Sequence, residues 1–239
     1  MGAPISPPNS IGVGNRLLDR LPSAEMQRLS GEIQQVSLPF KQVIYQAREP
    51  IQHTYFITSG IASAIATARD GRAVEVATIG NEGMLGLPAA FGETGSPNQI
   101  VMQVAGTALR ISTAALAAER ANNTPLYQTL IRYHAAYLTQ ISQSVACNGL
   151  HTVKHRCCRW LLATHDRFQA DEIPLTHEFL AIMLGVRRAS VSEVLRPLQK
   201  QGMLSSGRGR ITIMNRPALE SCACECYRTV VDEYRRLLG

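Results

Sequence analysis

LTHEFLAIMLGVRRASVSEVLRPLQKQGMLSSGRGRITI, residues 175–213, decides how this chain is read. Thr176 is a good N-cap for a short helix whose apolar face carries Phe179, Leu180, Met183 and Leu184. Ala181 is small where a second helix would cross closely, and Gly185 suits the left-handed turn that ends the first helix. The second helix turns Val191, Val194, Leu195 and Leu198 inward and leaves Arg187, Arg188, Ser190 and Glu193 outward near its start. Gly202 stops it. Two short apolar runs follow, joined by Gly207-Arg208-Gly209-Arg210. This is a helix-turn-helix with a basic wing, and cations stand where a recognition helix meets base edges.

Charge is distributed to match. The 239-residue chain has a formal net charge of +6. Residues 1–149 hold 10 basic and 9 acidic side chains, whereas residues 150–239 hold 14 and 9, so the excess sits in the C-terminal part. Between Arg187 and Arg210 six cations face the single Glu193. Counterion release at phosphates needs such a local excess, so double-stranded DNA is the expected partner.

With 45% apolar residues the chain can build real cores, and its length admits two domains. No apolar run is long enough to span a bilayer, so no membrane partner is expected. Residues 1–14, rich in Pro and Gly and without charge, read as a flexible tail. The six cysteines, 147, 157, 158, 222, 224 and 226, all lie in the later part, unlike a secreted disulfide framework. Reduced thiols and a cytoplasmic location follow. Cys222-Ala-Cys224-Glu-Cys226 lies in a strongly helical stretch, where position 224 points away from 222 and 226. The cysteines are therefore expected to be structural, with no metal and no cofactor. Cys157-Cys158 beside His155 reads as a helical surface coincidence.

Two helical pieces, around Leu17, Leu18 and Leu21 and around Met26, Leu29 and Ile33, precede a strand-rich region over 36–112. Its clearest runs are Val43–Tyr45, Tyr55–Ile57, Ile61–Thr67, Val74–Ile79 and Ile100–Val104, with a hairpin at Asp70-Gly71. A long helix is expected over 113–147. In it Ile131, His134, Leu138, Ile141 and Val145 step by three and four, a seam that suits a second copy of the chain. Another helix covers 150–170, and a last one runs from Pro217 to Leu238. The fold class is α+β. An antiparallel β-roll, of the double-stranded β-helix kind, spans 15–112 and a dimerisation helix 113–149. A winged helix-turn-helix spans 150–216, and an extra C-terminal helix 217–239.

That order of parts resembles the Crp/Fnr family of bacterial transcription regulators over about residues 20–215. Tyr55-Phe-Ile-Thr-Ser-Gly60 is similar to the family's strand-then-Gly signature, and Thr78-Ile-Gly80 through Met84-Leu-Gly86 to its Gly-rich loop. Leu175–Ile213 resembles its DNA-binding module throughout. The resemblance implies a non-enzymatic homodimer acting on a two-fold-symmetric operator. Its further partners would be RNA polymerase and a small-molecule effector of unidentified chemistry. Thr176, Arg187, Arg188, Ser190, Arg208 and Arg210 would contact DNA, and Arg188 would read a base.

The chain departs from the family pattern in two places. Cyclic-nucleotide binders have Gly-Glu for the ribose and Arg-Ser or Arg-Thr for the phosphate. Here Leu87 follows Gly86, Glu82 belongs to an earlier loop position, and Glu93-Thr-Gly-Ser-Pro-Asn-Gln99 holds no arginine. A buried phosphate without a cation is costly, so the roll is expected to sense another signal or none. In the recognition helix, Arg188-Ala189 and Glu193 replace an Arg-Glu and a later Arg, which implies a different half-site. Iron–sulfur sensing on N-terminal cysteines is excluded in its usual form, and His53, the lone histidine before 134, makes a poor haem site. Too few histidines also exclude a cupin-like metalloenzyme. A regulatory module without DNA binding is the alternative, against which the wing and recognition-helix arginines argue.

Overall fold

The computed structural model describes residues 12–168 and 170–239. Residues 1–11 of the expected 1–14 tail lie outside them. Asn15 is a fully buried side chain that donates to the carbonyls of Ile57 (2.8 Å) and Gly83 (2.9 Å). Leu17 and Leu18 follow it into the core, and the helix α1 (Ser23–Leu29) ends before Ile33.

The roll is built from β1 (Gln34–Leu38), β2 (Val43–Tyr45), β3 (His53–Thr67), β4 (Ala73–Ile79), β5 (Met84–Leu85) and β6 (Gln99–Ser112). β6 is the spine: it pairs antiparallel with β1, β2 and β3, and β3 pairs with β4 and β5. The expected Asp70-Gly71 hairpin joins β3 to β4, with Gly71 at φ +84°. The separate runs 55–57 and 61–67 prove to be one strand. Gly60 (φ +84°) sits between them as a bend, not a break. A Cβ on the facing Gly106 would lie 2.0 Å from the Ser59 carbonyl oxygen, so both long strands need glycine where they cross and curl.

After β5 the chain makes the single turn α2 (Leu87–Ala90), and β6 leads into α3 (Thr113–Ala121). The continuous helix expected from 113 is interrupted. Asn123 takes φ +49°, Thr124 caps the next helix by accepting from the Tyr127 amide, and Pro125 opens it. Proline lacks the amide hydrogen an interior turn requires, which makes it a good first residue and a poor inner one. The long helix is therefore α4, Pro125–Leu150. Its inner face brings Leu126, Leu130, Tyr133 and Ala136 onto the roll core around Phe56, Met84, Leu85 and Met102.

The C-terminal part follows: α5 (Val153–Phe168), β7 (Glu172–Pro174), α6 (His177–Leu184), α7 (Arg188–Lys200), β8 (Leu204–Gly207) and β9 (Arg210–Ile213). Its three strands form a sheet in the order β7-β9-β8. Trp160, Leu161, Leu180, Leu184, Val191, Leu195, Leu198 and Ile211 make its core, into which Ile65 of the roll also packs. Cys157 and Cys158 are fully buried there and not on a helical surface. Burial pushes the Cys158 thiol up to about 12, so neither is a ready nucleophile.

The last expected helix is also two. α8 (Arg216–Ser221) ends at Cys222, and α9 (Cys226–Leu238) starts after a break. α9 lies along α4, with the Tyr234 hydroxyl donating to Gln140 Oε1 (3.0 Å). The break corrects the helical reading of residues 222–226, because their sulfurs do not project at helical angles. No helix among the described residues is long and apolar enough to cross a membrane.

Candidate nucleic-acid interface

Local chemistry sets α6 and α7 at their angle. The Thr176 hydroxyl accepts from the Phe179 amide at 3.1 Å, as an N-cap should. Gly185 takes φ +62°, and the Val186 amide returns to the Ala181 carbonyl (2.9 Å), closing the helix end. α7 then begins with Arg187 as its cap residue and Arg188 in its first turn. Val191, Leu195 and Leu198 are buried beneath it, which leaves Arg187, Arg188 and Glu193 exposed and Ser190 half-buried.

The wing is the β8–β9 hairpin. Its turn residues Arg208 (φ +50°) and Gly209 (φ +76°) are both left-handed, the arrangement that matches the twist of a two-residue hairpin. Arg208 accepts a conformation that glycine adopts more readily, and its side chain is exposed at the tip. Thr176, Arg188, Arg208 and Arg210 border one open depression of about 240 Å³ between the wing and the start of α7. Arg187 and Ser190 are not part of that rim.

Two of the arginines are already paired. Arg188 Nε lies 2.7 Å from Glu178 Oε1 and Arg210 Nη1 lies 2.9 Å from Glu172 Oε1, all four side chains being more than half exposed. Such pairs contribute about 0–1 kcal/mol. A phosphate or a guanine edge can displace either carboxylate at little cost. Arg187 and Arg208 take part in no ion pair among the described residues.

Sequence reasoning missed His177. Its Nδ1 lies 3.1 Å from Ser192 Oγ on α7 and its Nε2 2.9 Å from Ser206 Oγ on β8, so one imidazole ties recognition helix to wing. Its partners are 15 and 29 residues away, and no local pattern announces them.

The roll meets this domain through its Gly-rich loop. Glu82 accepts from Arg167 Nε of α5 at 2.7 Å, and both side chains are almost wholly buried. Beside them Glu75 is buried and accepts from the Trp160 indole and from Thr78, and burial raises its pKa. A cleft of about 390 Å³ opens here, between β4, α4, α5 and α9, with Glu75, Glu82, Gln140, Arg159 and Arg167 among its walls.

On the outer face of α4, Ile131, Leu138 and Val145 are 41%, 55% and 66% exposed and recur every seven residues. His134 is exposed on the same side, with its ring 4.7 Å from that of Phe91. Ile141 is the exception. It is half-buried and packs against its own core.

The family model of the Crp-like helix-turn-helix domain matches residues 155–222, and that of the cyclic nucleotide-binding domain matches residues 35–123. Together they take in more than half of the chain. The chain belongs to the Crp/Fnr family. FixK2 of Bradyrhizobium japonicum has a similar structure, at a TM-score of 0.69 and 19% identity over 80% of this chain and 98% of that one. TTHA1359 of Thermus thermophilus, a transcriptional regulator of the CRP/FNR family, aligns at a TM-score of 0.66 with 20% identity, again over 80% and 98%. The global regulator CLP of Xanthomonas campestris, described as c-di-GMP responsive, gives a TM-score of 0.65 and 16% identity over 80% and 99%. No curated protein matches significantly. The fold is that of a Crp/Fnr-type DNA-binding transcription regulator: an antiparallel cyclic-nucleotide-binding roll and a C-terminal helix-turn-helix.

Proposed function

We propose that this Crp/Fnr protein is a sequence-specific transcription regulator that acts as a homodimer on a two-fold-symmetric operator. One observation carries the reading: Arg188 at the start of an exposed α7 shares a rim with Arg208 and Arg210 of the wing. A helix bearing arginine in its first turn can enter the major groove while wing cations hold the backbone. The exposed heptad stripe of α4 supplies the dimer axis and sets two α7 helices about 34 Å apart, one turn of DNA. RNA polymerase is the partner through which such a dimer would act.

The arginines divide by role. Arg188, with Arg187 and Ser190 beside it, reads bases; Arg208 and Arg210 hold phosphates; Thr176 positions α6. In a gel-shift series, Arg188→Ala is expected to cost about 1–3 kcal/mol at the cognate site and to relax preference at one base pair. Arg208→Ala should weaken all sequences alike and lower the salt slope by about one. Sequence preference lost at Arg208 and kept at Arg188 would reverse the two roles. A protein that shifts no genomic fragment at low salt would instead be a regulatory module without DNA binding.

The roll senses a signal other than cyclic AMP or cyclic GMP, or none. Leu87 stands where a ribose-binding glutamate would follow Gly86, and residues 93–99 contain no cation for the phosphate. Calorimetric titration with cyclic AMP should show no saturable heat, and the nucleotide should leave DNA affinity unchanged. Micromolar binding would show that a cation from another element, such as Arg120 over Gly92, serves the phosphate. A small molecule in the cleft between β4 and α5 would touch both domains at once, which makes that cleft the place for an effector.

A further inference from the structure

The cysteines find a use at the joint between α4 and α5. Cys147 lies in the last turn of α4, and His151 follows as its cap residue with its amide on the Cys147 carbonyl (3.1 Å). Much later the chain leaves the helix between α8 and α9, and that break carries Cys224 and Cys226 to the same place. Cys147 Sγ lies 3.4 Å from Cys224 Sγ, and Cys226 Sγ lies 3.7 Å from His151 Nδ1. Ligand atoms of all four residues fall within 4.8 Å of one another. The three cysteines are buried in a cluster of their own, apart from both domain cores.

We propose that Cys147, His151, Cys224 and Cys226 form a Cys3His site for a single thiophilic divalent cation, zinc by its donor set. Around one tetrahedral zinc, with bonds of about 2.3 Å to sulfur and 2.0–2.1 Å to nitrogen, neighbouring donors stand about 3.6–3.8 Å apart. Of the two close contacts, the 3.7 Å one falls within that spacing and the 3.4 Å one just short of it. A multi-iron cluster interposes several metal ions and needs its thiolates farther apart. The other ring nitrogen, His151 Nε2, is 3.2 Å from Glu225 Oε1, so a carboxylate holds the tautomer that leaves Nδ1 free to bind metal. Three thiolates around a divalent ion leave the site with a net negative charge, and Arg159, whose buried Nε has no hydrogen-bond partner among the described residues, supplies a compensating cation nearby. Four protein ligands close the coordination shell, which makes the site structural and not hydrolytic. It would staple the end of α4 and the start of α9 to the joint from which the DNA-binding domain departs. Cys222 is excluded, since its sulfur faces Met203.

The full chain, purified under reducing conditions without chelator, should carry about one zinc per chain by elemental analysis. Cys222→Ser should keep it, while Cys224→Ser and His151→Ala should each fall below about a tenth of that. Loss of a ligand can also disturb the fold, so the unmutated protein supplies an independent reading. Stripped of metal and titrated with Co²⁺ under reducing conditions, it should develop the strong visible bands of tetrahedral thiolate-bound cobalt. Those bands should saturate at about one equivalent and disappear on adding zinc. Three results overturn the proposal: no cobalt bands in the reduced protein, a Cys147–Cys224 disulfide by mass spectrometry in place of metal, or equal metal loss in Cys222→Ser. None of these measurements depends on DNA binding, so the site and the regulatory function can fail separately.

Discussion

Replacing Leu138 and Val145 with glutamate is expected to turn the proposed dimer into a monomer. Both side chains are more than half exposed in the protomer, so their replacement costs its own fold little. In a two-fold seam each substitution counts twice. Each apolar side chain removed from the seam forfeits about 1.5 kcal/mol or more, which makes the combined loss on the order of 6 kcal/mol, roughly ten-thousandfold in dimer affinity. Repulsion between the four introduced carboxylates adds to it. Sedimentation velocity reads the outcome directly, and circular dichroism should show an unchanged helix content. A variant that still sediments as a dimer would place the interface elsewhere. Leu138 and Val145 are the right pair because Ile141, though on the same sequence stripe, packs inward, and a charge there would damage the protomer itself.

Arg167→Met should cost about 3–5 kcal/mol, because it strands the Glu82 carboxylate in a buried position. Arg167 Nη1 also donates to the Ala163 carbonyl at 2.7 Å, and Nη2 lies 3.3 Å from Gln140 Oε1, so the guanidinium draws the Gly-rich loop, α4 and α5 together. For a chain of this size the midpoint of thermal unfolding should fall by about 6–20 °C. Pairing the change with Glu82→Gln should recover most of the loss, since the amide oxygen can still accept from the Gly80 amide as Glu82 does now at 3.2 Å. A single variant that melts within about a degree of the parent, a difference well under 1 kcal/mol, would mean that the pair does not hold the two domains together.

Much of this molecule was legible because the deciding interactions are local. Thr176 capping Phe179, Gly185 in its left-handed turn, the Asp70-Gly71 hairpin and the alternation of apolar residues in α7 each span a few residues. The strand lengths were not legible. Gly60 and Gly106 read as punctuation in isolation, yet each is the bend that lets the other strand pass, and a single strand carries no sign of its partner. The long helix was placed about one helix too early for a reason that was visible. Asn123 and Pro125 are stop and start signals, outweighed in the reading by the apolar period on either side.

The sequence by itself determined the two-part architecture, the winged helix-turn-helix and the arginines of its exposed face, because helix caps, tight turns and charge excess act over one or two turns of chain. Only the tertiary structure decided which groups meet across long separations. Glu82 and Arg167 are 85 residues apart, and Cys147 and Cys224 are 77 apart. A helical projection of residues 222–226 turned the cysteines away from one another, and in isolation it was sound. It failed because packing α9 along α4 requires the chain to break and turn before Cys226, a constraint set by the partner helix and absent from the local sequence.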